Sequence, residues 1–254
     1  MTKLLFLGSG SAFTVGDNNF QSNVLLIARD NKKLLLDCGS DIRFSLYHAG
    51  LSYSDITDIY VSHLHSDHVG GLEYIGFSTK FDPKCDRPIL YVHEAIKDDI
   101  WHKTLSGGMR FIEENNVSIE SFFKLFPIAE NQDFYWNDLK FQLIQVTHVG
   151  NHQELMPSYG LFFALNGHKI FLTTDTQLCF SELDRYYEQA DIIYQDCETA
   201  LHHTQVHAHY QELKKLPPKI KNKMWLYGYQ PGKLPLAKED GFQGFVKRGQ
   251  VFNF

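Results

Sequence analysis

The chain lacks any stretch that could carry it into a membrane. No apolar run among its 254 residues approaches the roughly 20 residues that a membrane-spanning helix needs. No charged segment followed by an apolar one opens the sequence, as it would in a secretory leader. We therefore expect a cytoplasmic protein that has no membrane partner.

Cysteine is scarce, and its spacing excludes the common cysteine motifs. The four residues Cys38, Cys85, Cys179 and Cys197 lie far apart, and no two of them form a C-x-x-C pair. Without a secretion signal, such usage is typical of reduced and mostly buried thiols rather than of a disulfide framework.

A basic block is missing as well. The formal net charge is −6 at pH 7, whereas proteins that grip long nucleic acids usually carry a basic surface that neutralises phosphates. Extended DNA or RNA is therefore disfavoured as a partner. The acidic net charge does not exclude a small anionic ligand that binds at a metal ion.

What is present is the composition of a soluble globular protein with a sizeable core. The hydrophobic content is 43% and the charged content 21%. We predict one domain over residues 1–254. Strand-like and helix-like segments alternate, and polar residues follow several of the strands. This order predicts an α/β fold with two mixed sheets in a sandwich, helices outside and the site along one edge.

The predicted elements follow from apolar periodicity and from turn residues. Strands are predicted at residues 3–7, 24–28, 33–37, 55–61, 89–92, 141–147, 159–165, 169–173, 191–195 and 223–227. Helices are predicted at residues 41–49, 69–77, 94–105, 181–187 and 210–216. The segment Ser106-Gly107-Gly108 predicts a flexible break.

The strongest pattern is a cluster of metal-ligand side chains that follows an apolar strand. His63, His65, Asp67 and His68 have the spacing H-x-H-x-D-H. At the end of an extended strand, His63 and His65 project to the same side because side chains alternate. The chain then turns, so that Asp67 and His68 face a second point nearby. Nitrogen ligands for one ion, and nitrogen plus oxygen for another, suit Zn²⁺ best.

This H-x-H-x-D-H motif resembles the most specific motif of the metallo-β-lactamase superfamily, whose fold is an αββα sandwich of two mixed sheets with outer helices. The later motifs resemble the phosphodiesterase branch that includes ribonuclease Z. That resemblance implies that His148 and Asp175, each after a strand, are further metal ligands. It also implies that Glu198 and His207 assist catalysis together with Asp67.

A closer resemblance runs nearly from end to end and points to the anti-Pycsar cyclic-nucleotide phosphodiesterases of phages and bacteria. The segments that carry it are Gly8–Phe13, Leu35–Ser40, Gly70–Glu73, Pro157–Gly160, Val206–Tyr210 and Asp240–Val246. It implies hydrolysis of 3′,5′-cyclic mononucleotides, which counteracts cyclic-nucleotide immune signalling. It also implies a homodimer.

One position departs from the family pattern. Where the pattern carries its last metal-binding histidine, after the final strand, this chain has Gly228. The resemblance assigns the first ion to His63, His65, His148 and Asp175. The second ion keeps Asp67, His68 and a bridging Asp175, which is one ligand short. His209 is a candidate replacement, and so is a water or the substrate.

The expected chemistry uses two ions about 3.5–4 Å apart, Zn²⁺ or Mn²⁺, which activate water and clamp a phosphate. His207 is expected to give a proton to the leaving alkoxide, and Glu198 to orient that imidazole. Asp37, at a strand end, is either an orienting group for the ligand loop or a strand-end cap.

Two other functions stay open. The first is a ribonuclease Z-like endonuclease that processes tRNA 3′ ends. The acidic net charge counts against it, and so does the short hairpin between His148 and Asp175, which leaves no room for a tRNA-gripping arm. The second is a cyclic-nucleotide-binding form whose catalysis is impaired because Gly228 replaces a ligand histidine.

Overall fold

The computed structural model describes residues 1–16 and 18–254. Within these residues the strands form two mixed seven-stranded sheets. The strands are Lys3–Phe6 (β1), Val24–Ile27 (β2), Lys33–Leu36 (β3), Asp58–Val61 (β4), Ile89–His93 (β5), Lys124–Ile128 (β6), Asp133–Trp136 (β7), Leu139–Gln145 (β8), Tyr159–Leu165 (β9), His168–Leu172 (β10), Ile192–Asp196 (β11), Met224–Tyr227 (β12), Gly244–Phe245 (β13) and Val251–Asn253 (β14).

The helices are short in both halves of the chain. The α-helices are Ile42–His48 (α1), Ser66–Val69 (α2), Leu72–Phe81 (α3), Glu94–Asp99 (α4), Ser106–Met109 (α5), Phe180–Gln189 (α6), Tyr210–Leu213 (α7) and Pro218–Lys221 (α8). None of the helices in the described residues is long and apolar enough to span a membrane.

The fold divides into two compact units, each built on one sheet. Unit 1 comprises residues 1–8, 21–131 and 249–253, and unit 2 comprises residues 9–20, 132–248 and 254. The prediction of a single domain stays a prediction, and the two units are described separately.

The sheet of unit 1 has the strand order β14-β1-β2-β3-β4-β5-β6. The predicted hairpin is confirmed, since β2 pairs antiparallel with β3 in the register Ile27 to Lys33. From β3 to β6 the strands run parallel. Both β3 and β4 are buried along their whole length, as expected for parallel strands covered on both faces. The carboxyl ends of β3, β4 and β5 therefore meet at one edge of this sheet.

The core of unit 1 lies between its sheet and its helices. Buried aliphatic residues of β3 and β4, such as Leu35 and Ile59, pack with Leu72 and Ile75 of α3. These two residues of α3 lie three positions apart and so share one face of the helix. The same core holds Phe122, which is fully buried.

The sheet of unit 2 has the order β13-β12-β11-β10-β9-β8-β7. The predicted hairpin across Asn166 and Gly167 is confirmed, because β9 pairs antiparallel with β10 and both turn residues have positive φ. Strands β10 to β13 run parallel. Since β8 is antiparallel to β9, the carboxyl ends of β8, β10, β11 and β12 lie at the same edge of this sheet.

The core of unit 2 includes one face of α6. Its buried residues Leu183, Tyr186 and Tyr187 recur at helical spacing and pack with Phe171 of β10 and Ile193 of β11.

Two expectations about elements were wrong or incomplete. The segment Ser106–Met109 is helical rather than a break, and it continues a π-helix at Ile100–Leu105 that follows α4. Helical hydrogen bonds of the preceding turns therefore outweigh the low helix propensity of two glycines. The strands β6, β7, β13 and β14 were not predicted, because these edge segments are short and partly exposed.

Candidate metal centre

The H-x-H-x-D-H loop of unit 1 follows β4 directly and brings its four predicted ligands together. Nε2 of His63 lies 3.1 Å from Nδ1 of His65. The rings of His63 and His68 are 4.1 Å apart between centroids. Nε2 of His68 lies 3.1 Å from Oδ2 of Asp67. His63, Asp67 and His68 are buried.

The spacing of these nitrogens fits a bound metal ion. Two nitrogen ligands at about 2.0–2.1 Å from a tetrahedral Zn²⁺ lie roughly 3.4 Å from each other. The 3.1 Å separation between His63 Nε2 and His65 Nδ1 is close to that value. The loop therefore has the donor types and the spacing of a zinc-type site.

Asp37 fixes the orientation and tautomers of this loop. Its carboxylate accepts hydrogen bonds from the Ser62 backbone N–H at 2.8 Å, the Ser62 hydroxyl at 2.8 Å and His68 Nδ1–H at 2.7 Å. Because the only hydroxyl proton of Ser62 goes to Asp37, Ser62 Oγ accepts from His63 Nδ1–H at 2.9 Å. Both His63 and His68 thus keep the lone pair on Nε2, as metal-binding histidines do.

Glycines allow the loop to lie close against the end of β3. A Cβ at Gly39 would lie 2.2 Å from the Asp67 carbonyl oxygen, and a Cβ at Gly71 would lie 2.3 Å from the Gly39 carbonyl oxygen. Backbone hydrogen bonds from Cys38 N–H to the His68 carbonyl and from Gly71 N–H to the Cys38 carbonyl join the two segments. The glycines of the motif are therefore needed for this contact.

Unit 2 brings His148 and Asp175 together at its strand edge. His148 follows β8 and Asp175 follows β10, and both side chains are buried. His148 Nε2 lies 3.9 Å from Asp175 Oδ2. His148 Nδ1–H donates to the carbonyl of Val206 at 2.7 Å, which leaves the lone pair on Nε2. Thr174, next to Asp175, has φ of 55°, a conformation that β-branched residues rarely adopt.

His207 lies beside these two residues, and its partner is Asp196 rather than Glu198. His207 Nδ1 is 2.7 Å from Oδ2 of Asp196, the last residue of β11. The Glu198 carboxylate instead accepts from the backbone N–H of Thr204 at 3.1 and 3.2 Å. The hydrogen bond expected from Glu198 is thus made by Asp196, and the catalytic role of Glu198 stays a prediction.

The Asp196–His207 pair is an ion pair at neutral pH. Burial lowers the pKa of His207, but the charge and hydrogen bond of Asp196 outweigh burial and raise that pKa to about 10. Burial raises the pKa of Asp196 to about 6, against the opposing effect of His207. The carboxylate of Asp196 therefore favours the protonated form of His207.

Sequence reasoning missed Asp196, although a signal was present. Asp196 ends an apolar strand that is adjacent and parallel to β10, whose own end leads to Asp175. Asp37 stands at the end of β3 in the same way. Asp37 and Asp196 are thus both carboxylates at the ends of parallel strands, and this shared position is the signal that the sequence contained.

His209 does not replace the missing ligand. Its Nε2 lies 2.9 Å from the carbonyl oxygen of Ala200, and its Nδ1 accepts from the backbone N–H of Gln211 at 3.2 Å. Both ring nitrogens thus have partners, and Nδ1 caps α7. Position 228 itself is a glycine with φ of 76° directly after β12.

The fold is shared with solved proteins of one class. The metallo-β-lactamase fold protein YhfI from Bacillus subtilis matches over 100% of both chains, with a TM-score of 0.75 and 16% identity. A diphosphatase of the PhnP family matches over 100% of this chain and 98% of that chain, with a TM-score of 0.72 and 20% identity. The chain therefore has the metallo-β-lactamase fold, as predicted.

The family follows from the sequence comparison. The model of the family described as anti-Pycsar protein Apyc1 matches residues 2–252. An anti-Pycsar protein Apyc1 from Paenibacillus harenae is 32% identical over 226 residues, which cover 88% of each chain. The chain belongs to the anti-Pycsar protein Apyc1 family. This confirms the resemblance seen in the motifs, and the histidine and aspartate clusters are groups that could hold metal ions.

Proposed function

We propose that this chain is a metal-dependent phosphodiesterase that hydrolyses 3′,5′-cyclic mononucleotides and so counteracts cyclic-nucleotide immune signalling. The observation that carries the proposal is that His63, His68 and His148 each keep the lone pair on Nε2, since each Nδ1–H has its own acceptor. Such tautomers are set for metal binding. Family membership supplies the direction toward cyclic nucleotides.

The ligand assignment is the one that the family resemblance implies. One ion would take His63, His65, His148 and Asp175. The other would take Asp67, His68 and Asp175. The mixture of imidazole and carboxylate, without a thiolate, suits Zn²⁺ and also admits Mn²⁺. Two such ions would activate a water and neutralise charge on the phosphate.

His207 is the proton donor in this proposal. Its Nδ1–H is engaged by Asp196, so Nε2–H is the group that can protonate the leaving ribose oxygen. Asp196 keeps the imidazole in this orientation and keeps it charged. Glu198 acts at a distance, because it holds the loop before His207 through the Thr204 N–H.

A cavity of about 540 Å³ in unit 2 offers room for the rest of a nucleotide. Its lining includes Tyr229, the residue that follows Gly228. Its lining combines an aromatic ring, amides and two cationic residues: Asn18, Asn19, Tyr229, Gln230, Lys247 and Arg248. An aromatic face and cations are the groups that hold a base and a phosphate.

The test is hydrolysis of a panel of 3′,5′-cyclic nucleotides with added Zn²⁺ or Mn²⁺, and identification of the linear product. His63→Ala is the matched inactive variant, and His48→Ala, on the outer end of α1, is the matched control. We expect turnover by the wild type and by His48→Ala only. Cleavage of a tRNA precursor without cleavage of any cyclic nucleotide would instead favour the ribonuclease Z alternative.

Gly228 favours one second candidate, a protein that binds a cyclic nucleotide and turns it over slowly or not at all. Tight binding without product in the same assay would identify it. The homodimer implied by the family stays a prediction, which light scattering on the purified protein checks. The cytoplasmic location likewise stays a prediction.

A further inference from the structure

One buried oxygen atom of the site has no hydrogen-bond partner. Asp196 is 1% exposed. Its Oδ2 accepts from His207 Nδ1–H and from the Thr176 backbone N–H at 3.0 Å. Its Oδ1 accepts from no group among the residues that the structure describes. A buried carboxylate oxygen without a donor is unfavourable, so this atom calls for a cation or another donor at its free side.

Asp196 Oδ1 lies against Gly228, at the position that a side chain of residue 228 would occupy. A Cβ on Gly228 would lie 2.5 Å from Asp196 Oδ1, while the next atoms outside residues 227–229, Asp196 Cγ and Cys197 N, would be 3.7 Å away. The carboxylate in its present orientation therefore excludes any side chain at position 228. Asp196 Oδ1 thus lies where a side chain at position 228 would begin.

Asp196 belongs to a group of residues whose side chains could ligate a metal ion. Asp175, Asp196 and His207 each offer one ligand atom, and these atoms lie within 4.8 Å of one another. His207 uses Nδ1 in the hydrogen bond to Asp196, so it is not the free donor of this group. His207 Nδ1 also lies 3.9 Å from Asp175 Oδ2, so Asp196 and Asp175 flank the same imidazole, and Oδ1 is the oxygen of Asp196 that this contact does not use.

We propose that Asp196 Oδ1 is a metal ligand and takes the place of the side chain that Gly228 lacks. The inference rests on the proposed function, in which Asp67, His68 and Asp175 leave the second ion one ligand short. One carboxylate then has two tasks. Oδ2 holds the imidazolium of His207, and Oδ1 binds the divalent cation next to Asp175.

The first test is the number of metal ions per chain, measured by elemental analysis after Zn²⁺ loading and dialysis. We expect two ions in the wild type and one in Asp196→Asn. The matched control is Glu198→Gln, which neutralises another buried carboxylate two residues further on and should keep two ions. Absorption of the Co²⁺-loaded proteins reports the coordination independently, and circular dichroism verifies the fold.

A second variant keeps every ligand of the chain. In Gly228→Ala, the methyl group meets Asp196 Oδ1 and should displace it, so the second ion should bind at least tenfold more weakly by calorimetry. The exchange variant Asp196→Ala with Gly228→His removes the carboxylate and supplies an imidazole from position 228. It should bind two ions, while Asp196→Ala alone binds one.

The outcomes separate the inference from the proposed function. If the wild type and Asp196→Asn bind the same number of metal ions per chain, the inference is overturned, whether that number is one or two. Two ions in both, with cyclic-nucleotide turnover in the wild type, leave the proposed function standing. A wild type that binds two ions through Asp196 but cleaves no cyclic nucleotide supports the inference and overturns the proposed function.

Discussion

Nδ1 of His207 lies 2.7 Å from Oδ2 of Asp196, and this contact joins a partly exposed imidazole to a fully enclosed carboxylate. The pair sits at the carboxyl edge of the sheet of unit 2. A neutral histidine would lose most of its proton-donor capacity above its usual pKa of about 6.5. The carboxylate therefore decides whether His207 can act as an acid at neutral pH.

We expect His207→Gln to lower kcat by about 10²–10⁴-fold, which is the usual contribution of a positioned general acid. Glu198→Gln should lower kcat by less than about tenfold, since its amide oxygen can still accept from the Thr204 N–H. Steady-state kinetics on a cyclic nucleotide measures both. A larger loss for Glu198→Gln than for His207→Gln would contradict the assignment of roles.

We expect Asp37→Asn to weaken metal binding by about 10–100-fold, because the group that orients a metal-binding histidine contributes about that much. The amide cannot accept from all three donors that converge on Asp37. Ser62→Ala removes one of these donors and leaves the His68 contact, so its loss should be smaller. Competition with a chromogenic chelator measures both affinities.

His93 makes the stability of unit 1 sensitive to acid. Its Nδ1 accepts the Ala95 N–H at 3.2 Å and so caps α4, which requires the neutral ring. Burial lowers the pKa of His93, and Glu130 opposes this effect. The unfolded chain then binds more protons than the native one below about pH 6.5. The stabilising cap is present above this pH and is lost as the pH falls through the lowered native pKa.

We expect His93→Asn, which retains a capping oxygen, to lose less stability than the wild type between pH 7 and pH 5. Urea unfolding at several pH values measures the free energy of unfolding of each. A His168→Asn variant, whose histidine is exposed, controls for the removal of a histidine elsewhere. If the free energy of unfolding falls equally between pH 7 and pH 5 in His93→Asn and in the wild type, this prediction is contradicted.

Thr174 stores conformational strain next to Asp175. A β-branched residue at φ of 55° costs about 1–2 kcal/mol relative to glycine. We expect Thr174→Gly to gain about 1 kcal/mol in free energy of unfolding and to bind metal more weakly, because Asp175 is then held less firmly. Thr174→Val keeps the strain and loses the hydroxyl, so it should gain nothing.

The sequence predicted most of the site in unit 1 because its ligands lie within six residues of one strand end. The orienting role of Asp37 stayed one of two alternatives, since its contacts with Ser62 and His68 come from the pairing of β3 with β4. Asp196 was missed for a similar reason. Its partner His207 lies eleven residues further along the chain, and only the folded loop brings them together.

The fold class was predictable because alternating strands and helices, with polar strand ends, are specific to few architectures. The edge strands were not predictable from the sequence. The two residues of β13 pair with β12, which supplies the hydrogen-bonding template that such a short segment needs. The helical turn at Ser106–Met109 likewise depends on the turns before it rather than on its own residues.

The pairing of β14 with β1 has a consequence for biosynthesis. β1 precedes every strand of unit 2 in the chain, and β14 follows every one of them. Until residues 251–253 are made, one side of β1 offers unpaired backbone groups to any neighbouring chain. The sheet of unit 1 is therefore complete only after all strands of unit 2 have been translated. Deletion of residues 251–253 should thus promote association of the chain through β1, although it removes no residue of the candidate site.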